Sequence, residues 1–164
     1  NSETKTNAQL INITSAQLIE NINFSLIPNN EPTPTMTPVH NINISLNMPD
    51  SLYHPHDIFY LNAFIQNNDV PVTKGPLFVV LEVYNNYWFW PDWLHYAPPE
   101  FNQFDFQYCN LDSGTTEIEI ISPFEWPEDA GGPVSGLHFY GAVLNSSFSE
   151  TRSNMAAVEW GFGP

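Results

Sequence analysis

Basic residues are almost missing from this chain. Three lysines and arginines stand against eighteen aspartates and glutamates, for a formal net charge of -15. Nucleic acids and anionic membranes are held by Lys and Arg side chains that displace counterions. Lys5, Lys74 and Arg152 are scattered and make no patch, so nucleic acid is excluded as a partner and insertion into a membrane is not expected. Cysteine is nearly absent too. Cys109 is alone, which rules out an intramolecular disulfide and an all-cysteine metal site. Beside Tyr108 in an apolar-alternating stretch, it reads as a small buried hydrophobe. No run of eighteen apolar residues occurs, so no helical membrane span is expected. Catalytic signatures are lacking as well: there is no G-x-S-x-G, no phosphate-binding glycine loop and no base near Cys109 in sequence. Neither an enzymatic activity nor a cofactor is expected.

What is present is apolar and aromatic mass. The 164 residues are 42% hydrophobic and 15% aromatic, enough for one domain with a real core and an appendage. Fifteen prolines and many Asn-rich turns argue against long helices. In Asn7–Glu20, Leu10, Ala16, Leu18 and Ile19 fall on a helical stripe, but Ile11, Ile13 and Thr14 favour extended chain. Elsewhere the period is two. Ile42, Ile44, Leu46 and Met48 alternate with Asn41, Asn43, Ser45 and Asn47. Strands follow at Asp57–Gln66, Leu77–Tyr84 and Tyr87–Trp90, with Asn85-Asn86 as a two-residue hairpin turn. Leu77–Tyr84 is nearly continuous apolar chain, the mark of a central strand covered on both faces. Phe104–Tyr108, the Ile118/Ile120 pair, Leu137–Leu144 and Met155–Phe162 complete about eight short strands at sandwich-like intervals. The expected fold is all-β: a two-sheet antiparallel Ig-like β-sandwich over residues 41–164, with an N-terminal extension (1–28) forming one or two extra strands. Residues 29–40, rich in Pro and Thr, form an extended linker.

Four stretches carry a resemblance: "PHDIFYL" at Pro55–Leu61, "PLFVVLEVYNNYWFWPDW" at Pro76–Trp93, "FEWPEDAGGPVSGLHFYGAV" at Phe124–Val143 and "VEWGFG" at Val158–Gly163. With them, residues 41–164 resemble an uncharacterised Ig-like domain found at the C-terminal ends of large secreted bacterial proteins. The resemblance implies a secreted sandwich and carries no catalytic residue. His56 departs from it, since relatives tend to have Gly there; the expectation is a turn that does not need a positive φ at this position.

"NINFSL" at Asn21–Leu26 is nearly repeated as "NINISL" at Asn41–Leu46. The first copy offers the same alternation as the first strand of the sandwich, at the end of a linker that spans roughly 35 to 40 Å when extended. The expectation is that residues around Ala8–Pro28, with Leu10, Ile11, Ile13, Leu18, Ile22, Phe24 and Leu26 as the assembly strand, are donated to an adjacent copy of the chain. Repeated head to tail, that contact gives a surface filament. The alternative is a carbohydrate-binding or adhesive module. "YNNYWFWPDWLHY" at Tyr84–Tyr96 offers Tyr87, Trp88, Trp90, Trp93 and Tyr96 as a contact for polysaccharide or for another subunit, and alternation puts Trp88 and Trp90 on one face, Tyr87 and Phe89 on the other.

Weaker patterns fall to plainer readings. His54, His56 and Asp57 in "YHPHD" have metal-ligand chemistry, yet a polar turn accounts for them, and no metal is expected. Glu125, Glu128 and Asp129 around Trp126 sit on a Pro/Gly loop unsuited to holding a glycosidase pair. Asn12, Asn23, Asn43 and Asn145 are N-x-S/T sequons, in numbers that chance supplies in so Asn-rich a chain. The start at Asn1 and a composition rich in Asn, Thr, Pro and Trp point to an extracellular or cell-surface protein, exported with its signal peptide removed.

Overall fold

The computed structural model describes residues 41–96, 104–129 and 131–163. The extension 1–28 and the linker 29–40 lie outside the described residues, and with them Leu10, Ile11, Asn12, Ile13, Leu18, Ile22, Asn23, Phe24 and Leu26. The described chain folds into ten strands: β1 (Ile42–Asn47), β2 (Leu52–Tyr53), β3 (Ile58–Asn67), β4 (Val72–Val83), β5 (Asn86–Phe89), β6 (Leu94–Tyr96), β7 (Gln107–Leu111), β8 (Gly114–Glu125), β9 (Val134–Val143) and β10 (Ala156–Phe162). They make two sheets. One has the order β1-β3-β8; the other, of seven strands, runs β2-β10-β9-β4-β5-β6, with β7 beside β4. Pairing between strands is antiparallel except for β2, which lies parallel to β10.

Alternation places the core. β1 turns Ile42 and Ile44 inward and leaves Asn43 and Ser45 in solvent, while β3 turns in Phe59, Leu61, Ala63 and Ile65. Opposite them stand Leu77 and Val79 of β4, Leu137, Phe139 and Val143 of β9, and Trp160 and Phe162 of β10. Phe59 is the hub, its ring centroid 4.8 Å from Tyr53, 5.1 Å from Trp160 and 5.5 Å from Trp126. β4 is covered on both sides, as its apolar run predicts. Its outer face carries Phe78, which joins Ala142, Leu144, Phe89, Phe104, Phe106 and Phe148 in a second apolar cluster.

Several local expectations need correction. The hairpin turn after β4 is Tyr84-Asn85, with φ of 50° and 65°, because Asn86 is already paired with Val83 and its amide closes the turn on the Val83 and Tyr84 carbonyls. His56 does adopt a positive φ of 72°, held by its N–H on the Trp126 carbonyl and by Nδ1 at 2.7 Å from Glu125 Oε1. The strand expected at Phe104–Tyr108 starts later, at Gln107, since Phe104 and Phe106 are drawn onto Phe78. β2 and β6, at two and three residues, are too short to leave a periodic trace.

Candidate functional site

The two edges of the smaller sheet differ. Along β1, the Asn154 side chain stands in for a neighbouring strand. Its Nδ2 donates to the Ile44 carbonyl at 2.9 Å, and its Oδ1 accepts the Ile44 N–H at 2.8 Å. Ser153 forms a bridge with Ile42 on the same edge. β8 has no such cover. It spans twelve residues and pairs with β3 on one side only; among the described residues no strand stands on its other side. The core is open along this edge: Phe124 is 39% exposed, and Ile118 and Ile121 are partly buried. An immunoglobulin sandwich places four strands, A, B, E and D, in this sheet. In chain order β1, β3 and β8 take A, B and E, and β7 falls where D belongs. β7 instead runs along β4, Cys109 opposite Gly75 and Leu111 opposite Val72. Leu111 is sealed into the core there and its carbonyl is held by the Asn67 amide. The Cys109 Sγ donates to the Gly75 carbonyl at 3.2 Å, and burial pushes the thiol up to about 11.

A second feature crosses the outer face of the larger sheet. Register aligns Tyr96, Tyr87, Glu82, His138 and Glu159 in one row across β6, β5, β4, β9 and β10. Directly paired residues share a face. The Tyr140 hydroxyl, one rung away, donates to Glu82 Oε2 at 2.9 Å. His138 lies between two acids, Nδ1 3.7 Å from Glu82 Oε2 and Nε2 3.8 Å from Glu159 Oε2, and its ring stacks on Tyr140 at 14°. Burial and then the Glu82 hydrogen bond push the Tyr140 phenol up to about 12. Burial and the same carboxylate raise Tyr87, and burial raises Tyr96.

The residues singled out in the sequence are dispersed. Trp88 and His95 stack at 4.6 Å on the inner face of the β5–β6 wing, in register with Leu81 and Phe139. Trp90 is buried, and Trp93 packs edge-on against Phe139 in the core. Trp90 offers no platform to a sugar or a subunit, because the core uses its apolar area, while Trp93 stays partly buried at the core's margin. Tyr87 and Tyr96 lie on the outer face, partly exposed. His54 and His56 turn to different acids, Asp57 and Glu125, and no three His, Cys, Asp or Glu side chains gather to hold a metal among the described residues. Asn43 is exposed on β1. The Asn145 amide is engaged with Ser147 and Ser149, fixing its own turn. Nothing in the local sequence marked Glu82, His138, Tyr140 and Glu159 as a group; only the register of four strands joins them.

Strand order, two facing sheets and the β5–β6 addition to the larger sheet define the class: an immunoglobulin-like β-sandwich. No family model and no curated protein matches the chain. Among solved structures, the sporulation control protein Spo0M of Bacillus subtilis is similar over 76% of this chain and 50% of its own, at 8% identity and a TM-score of 0.42. The present chain thus spans about half the length of that protein. A CARDB domain from Pyrococcus furiosus, solved in complex with di-metal ions, is similar over 74% of this chain and 86% of its own, at 8% identity and a TM-score of 0.43. The alkylpurine DNA glycosylase AlkC of Pseudomonas fluorescens is similar over 76% of this chain and 31% of its own, at 10% identity and a TM-score of 0.38. Likeness at this level assigns no function.

Proposed function

We propose that this chain is a non-enzymatic extracellular structural module that assembles with copies of itself, the N-terminal segment of one copy adding a strand to the next. The observation that carries the reading is the outer edge of β8, on which no strand stands among the described residues, in a sheet that there shows three of the four immunoglobulin strands. Unpaired edges recruit extended segments. "NINFSL" matches what that edge requires. Ile22, Phe24 and Leu26 would extend the inner face beside Ile118 and Phe124, while Asn21, Asn23 and Ser25 would face Glu117 and Glu119 without like-charge opposition. β1 is a poorer acceptor because Asn154 already occupies its edge. The linker ends at the start of β1, two strand spacings, roughly 10 Å, from the start of β8. A linker of roughly 35 to 40 Å when extended is long enough to leave its own domain and reach the β8 of an adjacent copy, and also long enough to return to its own β8. The resemblance to C-terminal domains of secreted bacterial proteins supports the exported setting.

The test compares the full chain with one lacking residues 1–29, by size-exclusion light scattering and electron microscopy. The full chain should form concentration-dependent oligomers or filaments, and the shortened one a less stable monomer. A synthetic peptide containing Asn21–Leu26 should restore its melting temperature. Assembly that survives the deletion, or a full chain that stays monomeric with its own segment paired to its own β8, refutes the proposal.

A further inference from the structure

The outer edge of β8 changes along its length, and the pairing with β3 shows where. From Asn67 back to Asn62, β3 pairs residue for residue with Gly114–Glu119. Beyond Glu119 the register breaks twice. Asn62 and Leu61 are neighbours, yet their partners Glu119 and Ile121 are two apart; Leu61 and Phe59 are two apart, yet their partners Ile121 and Phe124 are three apart. Each break is an extra residue on β8, a bulge, and Pro123 in the same half has no N–H to donate. Bulges and proline keep an edge strand from recruiting a partner. The half from Ile120 to Glu125 is blunted in this way. Gly114–Glu119 is left as a regular edge six residues long.

The backbone of those six residues has a definite direction. The Asn68 N–H donates to the Asn41 carbonyl, and both polar groups of Ile44 turn away from β3 to Asn154. Alternation then points Asn67, Ile65 and Ala63 at β8, so their partners Gly114, Thr116 and Ile118 bond back to β3. Thr115, Glu117 and Glu119 turn their N–H and carbonyl groups outward, where no strand stands among the described residues. Side chains alternate too. Thr115 and Glu117 are exposed, while Gly114, Thr116 and Ile118 face inward and are only half-buried, although Ile65 and Ala63 beside them on β3 are sealed. We infer that Gly114–Glu119 is the acceptor segment of β8, and that Asn21–Leu26 docks on it antiparallel, Asn21 opposite Glu119 and Leu26 opposite Gly114. This rests on the strand addition proposed above and deepens it. The six residues of "NINFSL" match the six of the regular edge. In that register Ile22 meets Ile118, and Phe24 and Leu26 meet Thr116 and Gly114, whose small size leaves room for them. Asn21, Asn23 and Ser25 bring their backbone to Glu119, Glu117 and Thr115, the residues whose groups point outward. The Asn21 and Asn23 amides offer donors to the Glu119 and Glu117 carboxylates, as Asn62 already donates to Glu117 at 2.8 Å from the other side. Antiparallel pairing is the more stable per residue.

Hydrogen exchange of the full chain, quenched and read residue by residue by NMR, tests the inference. The comparison is the full chain carrying Phe24→Asp, which puts a charge where the segment must pack. Amides of Thr115, Glu117 and Glu119 should exchange about a hundredfold or more slowly in the native chain than in this variant. Amides of Gly114, Thr116 and Ile118 should be slow in both, which also shows that the domain is folded. Amides of Ser122 and Phe124 should not change. Glu117→Pro removes one outward N–H and none that bonds to β3, and should speed Thr115 and Glu119 about tenfold or more. Slowing at residues 120–125 or on β1 in place of Thr115, Glu117 and Glu119, or a Glu117→Pro chain that exchanges like the native one, overturns the inference and leaves assembly by strand addition standing. Slowing at those three amides in a chain that stays monomeric supports the acceptor segment and refutes donation between copies. Identical exchange in the native and Phe24→Asp chains refutes both.

Discussion

Replacing Asn154 by alanine removes the one side chain that serves β1 as a neighbouring strand. Two hydrogen bonds are lost together, 2.8 Å from the Ile44 N–H and 2.9 Å to the Ile44 carbonyl. Each backbone-type bond contributes a net of about 0.5–1.5 kcal/mol. Ile44 is 3% exposed, so water reaches its freed amide poorly and part of the desolvation penalty remains. The expected loss is about 2–3 kcal/mol. In urea unfolding, with a slope of about 1.5 kcal/mol per molar, the midpoint should fall by about 1.5 M with the slope unchanged. Asn154→Asp separates the two bonds. Its carboxylate still accepts the Ile44 N–H, but now turns an oxygen on the Ile44 carbonyl. It should destabilise at neutral pH and recover as acid protonates the carboxyl and restores a donor. A loss below about 0.5 kcal/mol for Asn154→Ala would refute the reasoning, because so small a loss would mean that solvent replaces both bonds. So would a pH-independent Asn154→Asp variant.

Three further outcomes are expected. Tyr84 holds a φ of 50° at an exposed turn position, which is costly for a bulky residue. Tyr84→Asn should raise stability by about 0.5–1 kcal/mol in the same urea assay. Cys109, pushed up to about 11 by burial, should resist thiol reagents in the native state at pH 8, where only about one thiol in a thousand is ionised; the rate should climb about tenfold per pH unit and become fast in urea. Tyr140, raised to about 12, contributes stability that is complete below the unfolded phenol value of about 10 and is lost as pH rises from there to about 12, because the unfolded chain releases its proton first. Urea midpoints measured across that window should fall, and Tyr140→Phe should fall less steeply than the native chain.

Period-two alternation alone sufficed for the sandwich. Ile42 and Ile44, Phe59 to Ile65, and Ile118 with Ile120 announce strands whose one face must be buried, because a strand offers alternate side chains to opposite sides. The apolar run Leu77–Val83 announced a strand covered twice, and both clusters are there. Short-range chemistry was less decisive. A turn could start at Tyr84 or Asn85, since the Asn86 amide can either sit in the turn or close it; pairing of Asn86 with Val83 made the choice. Glycine's absence at position 56 did not prevent a positive φ, because bonds to Trp126 and Glu125, distant in sequence, hold His56 there. Aromatic content likewise said nothing of exposure: Trp90 went to the core and Trp93 packs partly buried against it, while Tyr87 and Tyr96 stayed on the outer face. Only tertiary structure could decide which strand stands at the outer edge among the described residues and which acids flank His138. Both depend on register between strands far apart in the chain, with β7 drawn to β4 rather than β8, and Glu82 set beside His138 and Tyr140 by the β4–β9 pairing. Local residue order carries the period of a strand, but the identity of its neighbour is settled by which pairing buries the most apolar surface at once.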